Sequence, residues 1–331
     1  MTSVLIRGDG VAARCCAHLL VRSGFSVSVE RTARPRLPAI MLGIPAQQLI
    51  RDIFGRDELF RDLPPICKRI VAWGPSANPI ALDHSAVVVS EEVLLDRLGA
   101  PPEPTGRLDP AWTVLASPPL PAAANEHRFG SRIACTMPVE LKDTAEPAAC
   151  WIESLAEGWL FLIANAPRSG WLLSLGLHPE ELLGQSAVVR DRIAHADSPT
   201  AQFAASPRVV VPLAGPGWIA CGTAAMAFDP ICGDGTAHAV REAILASAVI
   251  GAATRGEDID ALLSHYEARL IGGFRRHLVH CFEYYASGRG GPWWHSESES
   301  VARGIDWCSR RMDGYPNFRY RLNGLELQAI G

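Results

Sequence analysis

Lysine is almost missing from this 331-residue chain: Lys68 and Lys142 are the only two among 31 basic residues. The formal net charge is −4 and acids alternate with bases, so no cationic stripe exists to attract nucleic acid or an anionic membrane. No uninterrupted run of roughly 18 apolar residues occurs, which excludes a membrane-spanning helix of ordinary hydropathy. Met1 leads straight into a strand-like run, without a basic segment followed by a long apolar one. No secretory signal is expected, and the expected location is cytoplasmic. The nine cysteines are odd in number and scattered; even Cys15-Cys16 lacks the spacing of a metal knuckle. Cys16, Cys67, Cys135, Cys221 and Cys232 lie in apolar contexts and read as buried, reduced thiols. His277 and His280 are three residues apart and read as one helix face rather than a metal pair, so no metal site is expected. What is plentiful is apolar side chain, at 48%. That supplies a large core and points to two packed lobes.

The first 30 residues read as one unit. Ser3–Ile6 is a short apolar strand, Gly8-Asp9-Gly10 a turn, and Val11–Val21 a helix with Val11, Cys15 and Leu19 at helical spacing. Ser23-Gly24 stops that helix, and Ser26–Val29 forms a second strand that ends at Glu30. Two glycines allow a tight turn and close approach of bare backbone to a pyrophosphate. The helix start offers free N–H groups and the positive end of its dipole. Ala13 still permits helix-on-strand packing. Glu30, about 20 residues on, is placed to accept from a ribose 2′-hydroxyl. Asp9 is unfavourable beside phosphate unless its side chain turns away.

The middle is rich in strands. Ile44–Phe54 reads as a helix stopped by Gly55; Arg69–Pro75 and Ser85–Ser90 as strands; Glu91–Leu98 as a short helix; and Pro101–Gly106 as a surface loop. Residues 132–142 read as a strand and 159–176 as a hairpin about Pro167–Gly170. Arg208–Val211 and Trp218–Cys221 are strands again. Thr236–Thr254 is a long Ala-rich helix, and helix continues over Asp258–His280 before a tail rich in Tyr, Trp and Arg. A dinucleotide lobe interrupted by a substrate lobe fits this order better than two successive domains.

Between Cys221 and the helix at Thr236 lie small residues, Pro230, and the glycines of Gly233-Asp234-Gly235. Taken with the first turn, this segment resembles the FAD-dependent monooxygenases of the para-hydroxybenzoate hydroxylase type, and within them the flavin-dependent halogenase-like branch. The residues that carry the resemblance are Gly8, Gly10, Ala13 and Glu30; Gly217-Trp218, Gly222–Ala225, Asp229-Pro230 and Gly233–Gly235; Val71–Gly74; and Phe282–Trp294. The resemblance implies an α/β fold: a Rossmann-like FAD-binding lobe (1–75 and 205–285), interrupted by a β-sheet substrate lobe (76–204) and followed by an aromatic, helical C-terminal tail (286–331). It implies that FAD is held by Gly8, Gly10, Val11, Ala13, Glu30 and Arg31 at one turn. At the other it implies Gly222, Thr223, Asp229, Pro230, Gly233, Gly235 and Thr236, with the helix at Thr236 aimed at the flavin.

Three positions depart from that family. Thr223 stands where it carries Asp, Glu91 where it usually carries Arg, and Leu115–Pro118 where it has an Asp-Ala-Ser/Thr-Gly turn. The halogenase signature Trp-x-Trp-x-Ile-Pro survives only as Trp159–Ala164. The implied chemistry is hydroxylation of an aromatic small molecule, or of a peptide side chain, through a flavin C4a-hydroperoxide. A reductase or NAD(P)H would supply the electrons. Halogenation is not expected, and no catalytic side chain is identified. Two other readings stay open: a flavoprotein-like binding scaffold without redox turnover, and a flavin-dependent reductase.

Overall fold

The computed structural model describes residues 2–75, 78–102, 109–121, 123–315 and 319–330. The loop read at Pro101–Gly106 lies outside these from residue 103 onward.

The amino-terminal unit forms as the sequence dictates. Val4 and Ile6 alternate inward along Ser3–Arg7, which pairs in parallel with Ser26–Glu30. The crossover between them is helix α1 (Val11–Arg22), whose Ala12, Ala13, Cys16 and Ala17 are buried. Small side chains there let the helix lie close against the strands and its neighbours. On the other side of Ser3–Arg7 lies Trp112–Leu115, also parallel, followed by Trp218–Ala220 and the short Ala214–Gly215. This five-stranded sheet is therefore assembled from three distant parts of the chain.

A second, nine-stranded sheet contains Ile133–Leu141, Ala149–Leu155, Gly158–Ala166 and Ser169–Gly176, extended by Pro65–Ala72, Ile80–Val89 and Ile40–Gly43. Sheet membership crosses the boundary expected at residue 75. Ile40–Gly43 and Pro65–Ala72 precede it yet pair with Ile80–Val89, while Trp112–Leu115 follows it and sits in the parallel sheet. Periodicity assigned strand character at these places but carries no information about partners. Period-2 alternation splits the large sheet into two faces. Leu160, Leu162 and Leu172 pack with Leu182 and Leu183 of a short helix at Pro179–Gln185. Trp159, Phe161 and Ile163 point the other way.

The helices lie around the two sheets. The shorter ones are α2 (Ile44–Phe54), α3 (Glu91–Leu98) and α4 (Pro179–Gln185). The largest are α5 (Gly235–Thr254), α6 (Ile259–Ala286) and α7 (Pro292–Met312). Helix α5 is buried nearly all round and packs on α1, where the Cys16 thiol reaches the Ala243 carbonyl at 3.7 Å. The aromatic tail is mostly α7, packed along α6, with Trp294 1% exposed and its Nε1 donating to the Leu155 carbonyl at 2.8 Å. Among the described residues no helix is long and apolar enough to cross a membrane.

Candidate functional site

The two glycine-bearing turns meet on one cavity of about 430 Å³ between the parallel sheet and the large sheet. Asp9–Ala13 form one part of its lining, and Gly222, Thr223, Phe228–Ile231, Gly233, Gly235 and Thr236 another. Two helices start here. Gly10 is the N-cap of α1 and Asp234 that of α5, and no described side chain caps either start. Their first N–H groups are thus left for something outside the helices. Bare backbone is required at this place. A Cβ on Gly222, at φ 58°, would sit 2.8 Å from the Ala12 Cβ, and one on Gly10 would sit 2.8 Å from Arg34 Nη2.

Charge is balanced within the first turn by arginines that the sequence reading passed over. Arg36 pairs with Asp9 and neutralises its carboxylate. Arg34 pairs bidentately with Glu91, with Nη1 2.9 Å from Oε2, and Glu91 also accepts the Leu37 N–H at 3.0 Å. The acid that replaces a family arginine is therefore buried and neutralised by a cation that packs against Gly10. Both arginines come from Arg31–Pro38, a stretch without periodicity; its three arginines in eight residues were the available signal.

Of the positions implied by resemblance, Gly10, Val11, Ala13, Gly222, Thr223, Asp229, Pro230, Gly233, Gly235 and Thr236 line the cavity. Gly8, Glu30 and Arg31 do not. Gly8, at φ 125°, packs on Ala116 and Ser117 and donates its N–H to the Glu30 carbonyl at 2.9 Å. The Glu30 side chain is ion-paired with Arg7 at 3.0 Å and largely exposed.

Asp229 reaches the cavity only with its backbone side. Its carboxylate turns into the protein, where Oδ1 accepts the Ile231 N–H at 3.0 Å. Oδ2 lies 2.8 Å from Arg132 Nε and 2.9 Å from the Tyr285 hydroxyl, which donates to it. Arg132 also pairs with Glu297 of α7 and sits 4.5 Å over the Tyr285 ring. Burial pulls the guanidinium pKa down, but Tyr285, Asp229 and Glu297 together hold it above its ordinary value. Arg132 stays charged and fixes the turn. Asp234 is similarly engaged: burial pushes its carboxyl up, yet His238 and His277 hold it well below the usual carboxylate range.

Glu242, one helical turn beyond Thr236's neighbours on α5, lines the inner end. Its Oε2 accepts the Gly222 N–H at 2.6 Å, and its Oε1 is buried without a partner among the described residues. Burial pushes this carboxyl up to about 8 against the pull of the Gly222 N–H. It is a protonated acid near neutrality.

The opposite wall is apolar and aromatic. Strand register places Trp171 beside Ile163 and Leu173 beside Phe161, with Ile152 on Phe161's other side. Trp159 completes the row and donates from Nε1 to the Tyr285 hydroxyl at 3.4 Å. Neither lysine reaches this space: Lys68 pairs with Glu146 at 3.0 Å and Lys142 with Asp191 at 3.6 Å, both half exposed. Of the thiols expected to be buried, Cys67 is exposed and Cys135 and Cys232 are partly so. Strand alternation turns Cys67 outward. His277 does lie on a helix face, but a fully buried one within a polar cluster.

No protein-family model matches the sequence, and no curated protein matches it. Solved structures do. The peptidyl tryptophan dihydroxylase QhpG, essential for tryptophylquinone cofactor biogenesis, superposes with a TM-score of 0.74 at 19% identity, covering 99% of this chain and 86% of that one. The flavin-dependent halogenase CmlS gives a TM-score of 0.75 at 17% identity, with 94% and 71% covered. The 2,6-dihydroxypyridine-3-hydroxylase from Arthrobacter nicotinovorans gives 0.66 at 12%, with 88% and 94% covered. At these identities the likeness establishes architecture, and the chain has the fold shared by flavin-dependent hydroxylases and halogenases.

Proposed function

We propose that the chain binds FAD and hydroxylates an aromatic ring, carried by a small molecule or by a peptide side chain. The observation that carries this reading is the meeting of two uncapped helix starts and two glycine-bearing turns on one cavity whose far wall is aromatic. The residues present fit the cofactor. The N–H groups at the start of α1 and the Arg34 guanidinium would hold the pyrophosphate. Glu30 and Arg31 would flank the adenosine end beyond the cavity, next to Gly8. Thr223 would face the ribityl chain; its hydroxyl is 3.3 Å from the Ala116 carbonyl and on the exposed side. The backbone of Pro230–Gly235 would lie against the ring system, with the start of α5 facing its electron-rich edge. We assign residues 1–75 and 205–285 in the main to the cofactor lobe and 76–204 to the substrate lobe, with the strands noted above exchanged between them.

When bound, the flavin supplies reductive activation of dioxygen and transfer of one oxygen atom. The chain's own residues do the rest. Trp159, Phe161, Ile152, Ile163 and Trp171 exclude water and offer flat surfaces to orient an aromatic ring. The Arg132–Asp229–Tyr285 group fixes the turn under the ring system. The Arg34–Glu91 pair neutralises the acid that stands where the resembled family usually carries Arg.

Incubation of the reduced, flavin-loaded protein with candidate aromatics under isotopically labelled dioxygen tests this reading. The expected product carries one labelled oxygen and does not form anaerobically. Product formed without dioxygen would favour the reductase reading, and none under either condition the scaffold.

A further inference from the structure

On its protein side, the turn that lines the cavity carries one thiol, Cys232, which faces a second on α6, and oxygen transfer uses neither. Cys232, half-buried between Pro230 and Gly233, lies with its Sγ 3.7 Å from that of Cys281, which is fully buried on α6. No disulfide joins them. One turn back on α6, His277 Nε2 is 3.2 Å from Cys281 Sγ, and its Nδ1 is 3.4 Å from Asp234 Oδ1. The Asp229 N–H points at the same Nε2 at 2.9 Å. Cys232, His277 and Cys281 have the composition of a three-ligand zinc site. The nitrogen that a metal would need already faces the Asp229 N–H, so the cluster reads as a thiol pair.

The two thiols are unequal. A hydrogen bond from Cys281 holds the Cys232 thiol below the ordinary thiol range, whereas burial pushes Cys281 well above it. A partly accessible, acidic thiol within reach of a buried, protonated one is how an attacking and a resolving cysteine divide their work.

We propose that Cys232 and Cys281 form a peroxide-reactive dithiol site, its reactant a small hydroperoxide. The Cys232 thiolate attacks one peroxide oxygen; an S–O bond forms and the O–O bond breaks. The departing hydroxide or alkoxide takes up a proton and leaves as water or alcohol. Cys281 sulfur then attacks the sulfenic sulfur; the S–S bond forms, the S–O bond breaks, and the hydroxide released takes the Cys281 proton and leaves as water. Two thiols lose two electrons and the hydroperoxide gains two. The sulfurs close from 3.7 Å to about 2.05 Å, tying the cavity turn to α6.

The test uses the 331-residue protein and added hydrogen peroxide, so its outcome does not depend on whether flavin binds. Limiting peroxide is followed by acid quench, alkylation and peptide mass spectrometry. The exposed Cys67 serves as an internal reference. The expected result is loss of free Cys232 at least about tenfold faster than Cys67, with the Cys232–Cys281 cross-linked peptide appearing in step. In Cys281→Ser, a dimedone-trapped sulfenic acid at Cys232 should replace the cross-link. Oxidation of Cys232 no faster than that of Cys67, or oxidation of Cys232 in the unaltered protein without the cross-linked peptide, would overturn the proposal.

Discussion

Arg132 Nε lies 2.8 Å from Asp229 Oδ2, and neither side chain has any exposed surface. This pair joins the first residue before the strand Ile133–Leu141 to the turn on which the proposed ring site rests. Through Glu297 it also secures α7. Removing the cation would strand two carboxylates in the interior. Arg132→Leu should therefore destabilise the fold by about 3–5 kcal/mol, read as a lowered denaturation midpoint. An effect below about 1 kcal/mol would mean that the pair does not anchor the turn.

Glu242 makes stability depend on pH with a definite sign. Its folded pKa, about 8, is raised above the ordinary 4.5. The contribution is therefore fully present below about 4.5 and lost as pH rises through about 8. Thermal unfolding between about pH 5 and about pH 9 should show a decline that Glu242→Gln flattens, with a difference on the order of a few kcal/mol across the range. Parallel pH profiles for the two proteins would remove Glu242 as the cause.

Arg34 has a structural and a binding role that a double variant separates. Arg34→Ala leaves Glu91 buried without its bidentate partner and removes the cation beside Gly10. FAD affinity should fall roughly tenfold, about 1.4 kcal/mol, together with stability. Adding Glu91→Gln should restore most of the stability and little of the affinity. Recovery of both together would assign Arg34 to structure alone.

Phe161 stands in the middle of the aromatic wall, between Ile152 and Leu173 on neighbouring strands. Phe161→Ala should open the wall to water. Oxygen consumption then diverts to hydrogen peroxide, with a severalfold rise in peroxide formed per product. An unchanged ratio would place the substrate elsewhere.

Much of this architecture was legible in the sequence because local signals agreed. Glycines stop α1 and α2 where expected, and the turn between Gly158–Ala166 and Ser169–Gly176 falls within Pro167–Gly170. Trp112–Leu115 was missed as a strand because four residues in a Pro-rich context show no alternation, although it is the middle of the parallel sheet. The exchange of strands between sheets was illegible for a similar reason: pairing is a tertiary outcome. The site was half legible. Glycine spacing located both turns, but the compensation of Asp9 and Glu91 by Arg36 and Arg34 depends on the path of an aperiodic segment. Arg132, Glu297 and His277 were invisible because their partners lie far away along the chain.

The account rests on the two turns acting on one flavin nucleotide, and titration of the purified apoprotein with FAD, followed by visible absorbance and tryptophan fluorescence, tests that most directly. Gly10→Val is the matched control, since its backbone at φ −79° accepts a side chain, which would press on the Arg34 guanidinium and lie 3.8 Å from Glu91 Oε1, in the space proposed for the pyrophosphate. The account predicts saturable, stoichiometric FAD binding by the unaltered protein and at least about a tenfold loss in a Gly10→Val variant that remains folded. Failure of the unaltered protein to bind FAD, or equal binding by both, would contradict it.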